Sequence, residues 1–401
     1  MRLIPTAQRG PFRGLPREVP ILTTVSFTVA LGYGIVAPAI PAFARQFGVS
    51  TAEAASVISA FALMRVVGAL PAGRLMDRFG GKAIMASGIV VVAASSVLAG
   101  FSRSFEQLLI LRGSGGLGSA MYTVSAQALL LGQVPGSQRG RASGVFSAGF
   151  LLGGIGGPAL GGLIAAWSLR APFIIYGGLL VVPAVITAAA VRDPGPRPGA
   201  SGRPDGPRPA RPARAWRGRA YAAAASGTFA DGFAAMGVRS AIVPLFVRDV
   251  LHRSVLCTGL GFLLFAALNA VALLPGGRAA DRLGRRPVIV AGCVTTAAGM
   301  VLLALLPSLA GCLAALAVAG LGSGLLDVAP AAMIGDLLRG RGGTLVASYQ
   351  MAGDAGSVTG PVAAGLLADA ASYAAAFGLA AAVLSLAAII VVSAPETRPR
   401  S

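Results

Sequence analysis

Long apolar runs broken by short polar loops set the pattern of this chain. Runs of roughly 20 apolar residues, enough to cross about 30 Å of hydrocarbon as a helix, recur from Val19 to Val392. They predict twelve helices, at about residues 20–43, 52–73, 83–101, 105–130, 142–166, 171–191, 219–245, 255–276, 287–307, 309–334, 344–369 and 372–393. None of the runs shows the strict alternation of a membrane barrel, so helices are the expected spans.

Composition agrees with the pattern. Of 401 residues, 55% are hydrophobic and 12% charged, more apolar surface than a soluble core buries, and the excess is expected to face lipid. The formal charge of +19 would by itself suggest a nucleic-acid partner, but its distribution excludes one. With the N-terminus placed in the cytoplasm, 25 of the 33 basic residues fall in inside segments, five in outside loops and three in spans. That bias predicts a multi-pass protein with both termini cytoplasmic. Four arginines ahead of the first run, with Ala42-Phe43-Ala44 after it, also have the form of a secretory signal. The length of the run and its repetition in the seventh predict a retained helix instead. Cys257, Cys293 and Cys312 have no metal-like spacing, so neither a metal site nor a disulfide framework is expected.

Three regions follow: a six-helix unit at 1–191, an Arg/Pro-rich cytoplasmic linker at 192–218 and a second six-helix unit at 219–401. The linker has too few large apolar residues to fold alone, and its basic residues suit anionic headgroups. The flanking units are copies. Pro71-Ala-Gly73-Arg74-Leu-Met-Asp77-Arg78-Phe-Gly80 matches Pro275-Gly-Gly277-Arg278-Ala-Ala-Asp281-Arg282-Leu-Gly284 at an offset of 204, as Gly116-Leu117-Gly118-Ser119 matches Gly320-Leu321-Gly322-Ser323. At an offset of 203, Gly157-Pro158 falls on Gly360-Pro361 and Pro41 on Pro244. Two parallel halves with a site between them near the bilayer midplane is a recurrent transporter design.

The repeated loop has its own physical reading. Gly73 and Gly80 are expected to turn the backbone, Arg74 and Arg78 to hold the loop at the cytoplasmic face, and Asp77 to offer a carboxylate to a facing helix N-terminus or arginine. Such a contact would latch one face closed, and Gly277, Asp281 and Arg282 repeat it; the plainer reading is a solvated turn. In the fifth helix, Gly153, Gly157 and Gly161 at four-residue spacing, with Gly162, allow a neighbour to approach closely, and Pro158 permits a bend.

The Gly-x-x-x-Asp-Arg-x-Gly loop resembles the signature of the major facilitator superfamily, and the resemblance covers about 370 residues. Arg112-Gly-Ser-Gly115-Gly116-Leu-Gly118 and Gly153-x-x-x-Gly157-Pro158-x-x-Gly161-Gly162 resemble motifs of its drug:proton antiporter branch, the second its antiporter motif. The resemblance implies an all-α integral membrane fold of twelve transmembrane helices in two pseudo-symmetric six-helix bundles. It further implies a cavity lined by helices one, four, seven and ten, exchange rather than uptake, and proton transfer for Arg112. The chain departs from the branch where many members carry an acidic residue in the first helix and this one has Val29.

Charged residues inside spans cost a few kcal/mol each on insertion scales and are usually paired or functional. The repeat filters them. At the matched offsets Arg65 corresponds to Asn269, Arg112 to Leu316, Asp327 to Thr123, Asp231 to Thr28 and Asp354 to Leu151, so the duplicated scaffold requires none of these charges. A carboxylate alternately wet and dry binds and releases a proton. Asp231, near the midplane of the seventh helix, is the first choice of proton carrier, followed by Asp327 and Asp354, with Arg112 as a further coupling residue. A fixed ion pair of Asp231 with Arg112 or Arg239 is the alternative. Tyr33, Tyr122, Gln127, Phe229, Phe233 and Met236 are candidates for an amphipathic substrate cavity.

The expectation is a monomeric secondary transporter of the bacterial plasma membrane that exports small amphipathic or hydrophobic compounds, with a proton gradient as its energy source and no cofactor. Transport of a defined metabolite and a non-transporting scaffold or sensor are the rivals. No phosphate-binding loop surrounds the single lysine, Lys82, and no enzyme activity is expected.

Overall fold

The computed structural model describes residues 14–134, 138–191, 218–337 and 343–397; the predicted linker lies almost entirely outside them. The described residues form twelve long helices: α1 (Glu18–Val36, continued by Ile40–Ala44), α2 (Thr51–Phe79), α3 (Gly81–Gly100), α4 (Phe105–Gln133), α5 (Arg139–Trp167), α6 (Ala171–Ala190), α7 (Arg219–Asp249), α8 (Val255–Leu283), α9 (Arg285–Leu305), α10 (Leu309–Leu337), α11 (Gly343–Ala370) and α12 (Tyr373–Val392). No strand occurs among them.

Ten of the twelve are long and apolar enough to cross a membrane. The other two, α4 and α11, are diluted by Glu106, Arg112 and Gln127 and by Gln350 and Asp354, together with many Gly and Ser residues. Of these, Arg112 is buried and Asp354 half-buried, in helices packed by their neighbours, α2 and α3 on α4 and α2, α7 and α12 on α11, whereas Glu106, Gln127 and Gln350 are exposed.

The repeated loop departs from expectation. Gly73, Arg74, Asp77 and Arg78 lie in the last turns of α2, and the backbone turns only at Gly80, with φ of +88°. The second copy behaves alike, with Gly277, Asp281 and Arg282 helical and Gly284 at φ +110°. Nothing between Pro71 and Phe79 demands left-handed backbone, so the helix simply continues beyond its apolar stretch until glycine permits the reversal.

Glycine sets the helix spacing. A Cβ on Gly153, Gly157 or Gly161 would run into the Phe27, Leu31 or Ile35 carbonyl of α1, so α5 lies backbone to backbone on α1. In the other half, Gly356 and Gly360 of α11 meet the Phe229 and Phe233 carbonyls of α7 in the same way. Gly162 faces across the halves, where its Cβ would stand 3.0 Å from Gly259 Cα of α8.

The halves meet through α2 against α11 and α5 against α8. Polar contacts reinforce this at the end that carries the α1–α2, α7–α8 and α11–α12 loops. The Asp369 carboxylate at the end of α11 accepts the Thr51 and Ala52 amides of α2 at 2.9 and 2.7 Å. Arg248 Nη1 donates to Ala42 O at 3.0 Å, and Asp249 lies 3.6 Å from Arg45 while accepting the Tyr373 hydroxyl at 2.7 Å. Deeper in, Ser59 Oγ donates to Val358 O at 2.7 Å. This is the closed end of the molecule. On the helix halves toward the other end, Thr24, Thr123, Gln127 and Asp327 of α1, α4 and α10 are exposed.

Candidate functional site

The site is built around an irregularity in α7. Residues Gly232–Val238 form a π-helix, with α-helix on both sides. Small residues make it possible: Gly232 is pressed against the Gly353 carbonyl of α11, and a Cβ on Gly237 would lie 3.1 Å from Pro361. The wider turn re-pairs the backbone. Arg239 N–H donates to Ala234 O, which leaves Ala235 O to accept Arg239 Nε at 2.7 Å. Such turns gather at functional positions.

Asp231 immediately precedes the π-helix. Its Oδ1 is shut from solvent and has no hydrogen-bond partner, while Ser323 and Asp327 of α10 stand beside the carboxylate. The fixed ion pair considered from sequence does not form: Asp231 makes no salt bridge with Arg112 or Arg239 among the described residues, although the Arg239 charge reaches it. Asp327, nine residues before the last residue but one of α10, is exposed despite its place within a 29-residue helix packed on α8 and α9. Its Oδ2 accepts Asn269 Nδ2 of α8 at 2.8 Å.

Asp354 stands apart from these two. Arg65, the counterpart of Asn269, does not turn to Thr123 in its own half but crosses to α11 and pairs with Asp354. The repeat thus places a polar side chain at the same position twice, and the two copies use it differently.

Arg112 is only 2% exposed, with its guanidinium 4.8 Å from the Phe61 ring centre and its Nε without a partner. Arg239 lies over Phe262 and Phe265 at 4.6 and 4.3 Å. Phe61 and Phe265 are equivalent in the repeat, so each half holds a guanidinium on the same ring, supplied by α4 in one and α7 in the other.

Of the proposed cavity residues, Tyr33 is half-buried against Phe61, with ring centres 5.8 Å apart, and Gln127 is exposed. Phe229 and Phe233 pair at 6.2 Å, and Met236 is exposed on the π-helix. Tyr122 is buried inside the first half, where it lines a small pocket with Val29, Ile89, Val92, Ser119, Tyr176 and Leu180. One residue along a helix is a rotation of about 100°, so with Thr123 facing outward Tyr122 points into its own bundle.

The two basic loops also differ. Arg74, Asp77 and Arg78 are exposed, with Arg78 over the Phe79 ring at 5.2 Å. Asp281 instead lies 3.0 Å from Arg285, whose Nε is 2.8 Å from Asp336, and Glu396 accepts the Arg285 and Arg286 amides at 2.9 and 3.1 Å. The expectation that Asp281 repeats the geometry of Asp77 is therefore corrected. Arg285 and Asp336 stand where the first half has Gly81 and Gly132, which tie nothing.

Two helical repeats joined along two helix pairs, with charged groups gathered where they part, define a membrane transporter fold. The family model described as Major Facilitator Superfamily matches residues 22–236 and 224–401, and the chain belongs to that superfamily. Within it, the chain resembles the drug-efflux branch. The quinolone resistance protein NorA of Staphylococcus aureus is 27% identical over 178 residues, 44% of this chain and 46% of the relative. An uncharacterized MFS-type transporter of Methanocaldococcus jannaschii is 29% identical over 180 residues, 45% and 47% of the two chains. The chain thus matches less than half the length of these curated relatives. Among solved structures, a bacterial homolog of the human lysosomal transporter Spinster, in an inward-facing and occupied conformation, superposes with a TM-score of 0.79 at 17% identity, covering 96% of this chain and 97% of the other. The nucleoside transporter NupG gives 0.76 at 12%, covering 94% and 99%. Both likenesses concern the fold.

Proposed function

We propose that this chain is a secondary transporter of the bacterial inner membrane that exports small amphipathic or hydrophobic compounds in exchange for protons, by alternating access of a cavity between its halves. The basic-residue bias supports cytoplasmic termini, an orientation that turns the closed end outward and the half of α10 holding Asp327 toward the cytoplasm. The resemblance to a drug-resistance protein over part of the chain supports the substrate class.

The observation that carries the reading is the unpartnered Oδ1 of Asp231, at the edge of a π-helix and beside Asp327. A carboxylate oxygen shut from water without a donor is a place for a proton, because no salt bridge among the described residues balances the charge and protonation removes it. Opening the cavity to water on the other face would solvate the group and release the proton; a substrate arriving from the cytoplasm would meet Asp327 first. The protein acts as a monomer and needs no cofactor beyond the proton gradient.

The test is flux of a lipophilic cation in proteoliposomes under an imposed pH gradient. Wild-type protein is expected to drive the cation against its gradient, and Asp231→Asn to lose coupled movement by at least tenfold. Full proton-driven export by Asp231→Asn would refute its role.

A further inference from the structure

Two of the three thiols lie opposite each other at the closed end of the second half. Both α8 and α10 begin at that end and run side by side in the same direction. Glycine sets their register. A Cβ on Gly261 would stand 2.6 Å from Leu316 Cδ1, one on Gly320 would stand 3.0 Å from Phe265 Cα, and one on Gly324 would strike the Asn269 carbonyl, so each of these α8 residues faces the α10 residue 55 positions on. A helix returns to nearly the same face after four residues. One turn closer to the closed end than Gly261 and Leu316, the register therefore sets Cys257 opposite Cys312. Cys257 is half-buried in the first turn of α8, and Cys312 is 2% exposed in the first turn of α10. The two thiols are near enough to interact electrostatically. Cys293 lies elsewhere, next to Gly292, whose Cβ would stand 3.0 Å from Gly322 O, ten positions further along α10 than Cys312. The repeat does not call for the pairing. The first half keeps the register, with Gly116 against Phe61, but Glu53 and Leu108 occupy the positions equivalent to Cys257 and Cys312, and Glu53 belongs to the capping box of α2.

We propose that Cys257 and Cys312 are a redox pair that closes to a disulfide between α8 and α10. The structure holds the dithiol form. A disulfide needs Cα atoms about 4.4–6.8 Å apart, and helices in glycine contact approach each other this closely. The oxidant is a small external disulfide. Cys257, the more exposed thiol, attacks it as the thiolate, which forms a mixed disulfide and releases one small thiolate; the Cys312 thiolate then attacks Cys257 Sγ, closes the Cys257–Cys312 bond and releases the second. The two cysteine protons pass to the released thiolates, so the pair gives up two electrons and two protons and the external disulfide takes them. The bond would pin the first turns of the two helices that, about three turns deeper, hold Asn269 against Asp327 at 2.8 Å. Because both helices belong to one half, the link leaves the two halves free to move against each other, and the pairing does not depend on the transport reading.

The test treats the purified full chain with oxidised glutathione, alkylates the remaining thiols under denaturing conditions, and reads intact mass and a non-reducing peptide map. Wild-type protein is expected to keep one alkylated thiol, Cys293, and to yield a linked peptide pair containing Cys257 and Cys312 that reductant separates. Cys293→Ser is expected to yield the same pair. Cys312→Ser is expected to hold glutathione on Cys257, the trapped first step, and Cys257→Ser to lose both the linked pair and the adduct. If the buried Cys312→Ser change prevents folding, as judged by monodisperse elution and helical circular dichroism, the half-buried Cys257→Ser carries the comparison. Three alkylated thiols in treated wild-type protein, a link that includes Cys293, or a link found only between two copies of the chain overturns the proposal.

Discussion

Replacing Asp369 by Ala tests how the closed end is held. The first amides of a helix have no partner within it, and Asp369 satisfies two of them, Thr51 and Ala52 at 2.9 and 2.7 Å, from the opposite half of the molecule. A capping box of Ser50 and Glu53 serves the same helix end locally, at 3.2 and 2.8 Å. Removal of Asp369 thus takes away the cross-half partners and leaves the local cap. Charge-assisted hydrogen bonds are worth about 1.5–3 kcal/mol each when sheltered, but Asp369 is exposed, so a total of about 1.4 kcal/mol is the reasonable expectation. That is a tenfold change in the opening equilibrium. Amide hydrogen exchange of the segment 48–60, followed by mass spectrometry in detergent or nanodiscs, reads it directly. The Thr51 and Ala52 amides are expected to exchange roughly tenfold faster in Asp369→Ala, with Asp369→Asn between the two. Unchanged exchange in Asp369→Ala would mean that α2 and α11 are held at this end by packing alone.

Three further outcomes follow from contacts already described. Gly161→Val places a Cβ on the Ile35 carbonyl and is expected to lower thermal stability by several degrees, whereas Gly154→Ala on the same helix, with nothing within 4 Å, is expected to be neutral; light-scattering melts of both variants check this. Arg65→Asp should sharply reduce flux by putting two acids at the α2–α11 contact, and the swap Arg65→Asp with Asp354→Arg should recover at least part of it; a swap no better than the single change argues against the pair. Asp336→Ala leaves Arg285, 9% exposed, with the exposed Asp281 as its salt-bridge partner and Glu396 on its backbone amide, and is expected to destabilise the second half by about 3 kcal/mol, seen as loss of folded yield.

Much of the fold was legible because lipid imposes long apolar runs and duplication writes the same loop twice. The comparison of halves also isolated Asp231 and Asp327, which the structure brings together. It grouped Asp354 with them, although Asp354 pairs across the halves with Arg65. That partnership joins residues 289 positions apart and leaves no local mark. Arg239 entered only as a possible partner of Asp231; the signal that would have raised it is the matched Phe61 and Phe265, an aromatic kept at the same position in both halves. Composition does not say which way a helix is rotated, so the burial of Tyr122 within its own half could not be read from it. The second loop went astray for a related reason: Arg285 and Asp336 occupy positions that are glycine in the first copy, and the matching motif drew attention from the unmatched flanks.

The π-helix has a consequence for the long axis of α7. A π-turn takes up one residue more than the α-turn it replaces, so the segments before and after Gly232–Val238 are out of phase by about 100° relative to an uninterrupted α-helix. A helical wheel drawn through the whole of α7 therefore puts Asp231 and the closed-end residues Arg248 and Asp249 on the wrong relative faces. Resolving the wide turn into α-helix would swing the Arg248 and Asp249 end by about 100° relative to Asp231. The acid that is proposed to hold the proton and the residues that seal the far end thus sit on opposite sides of a single wide turn.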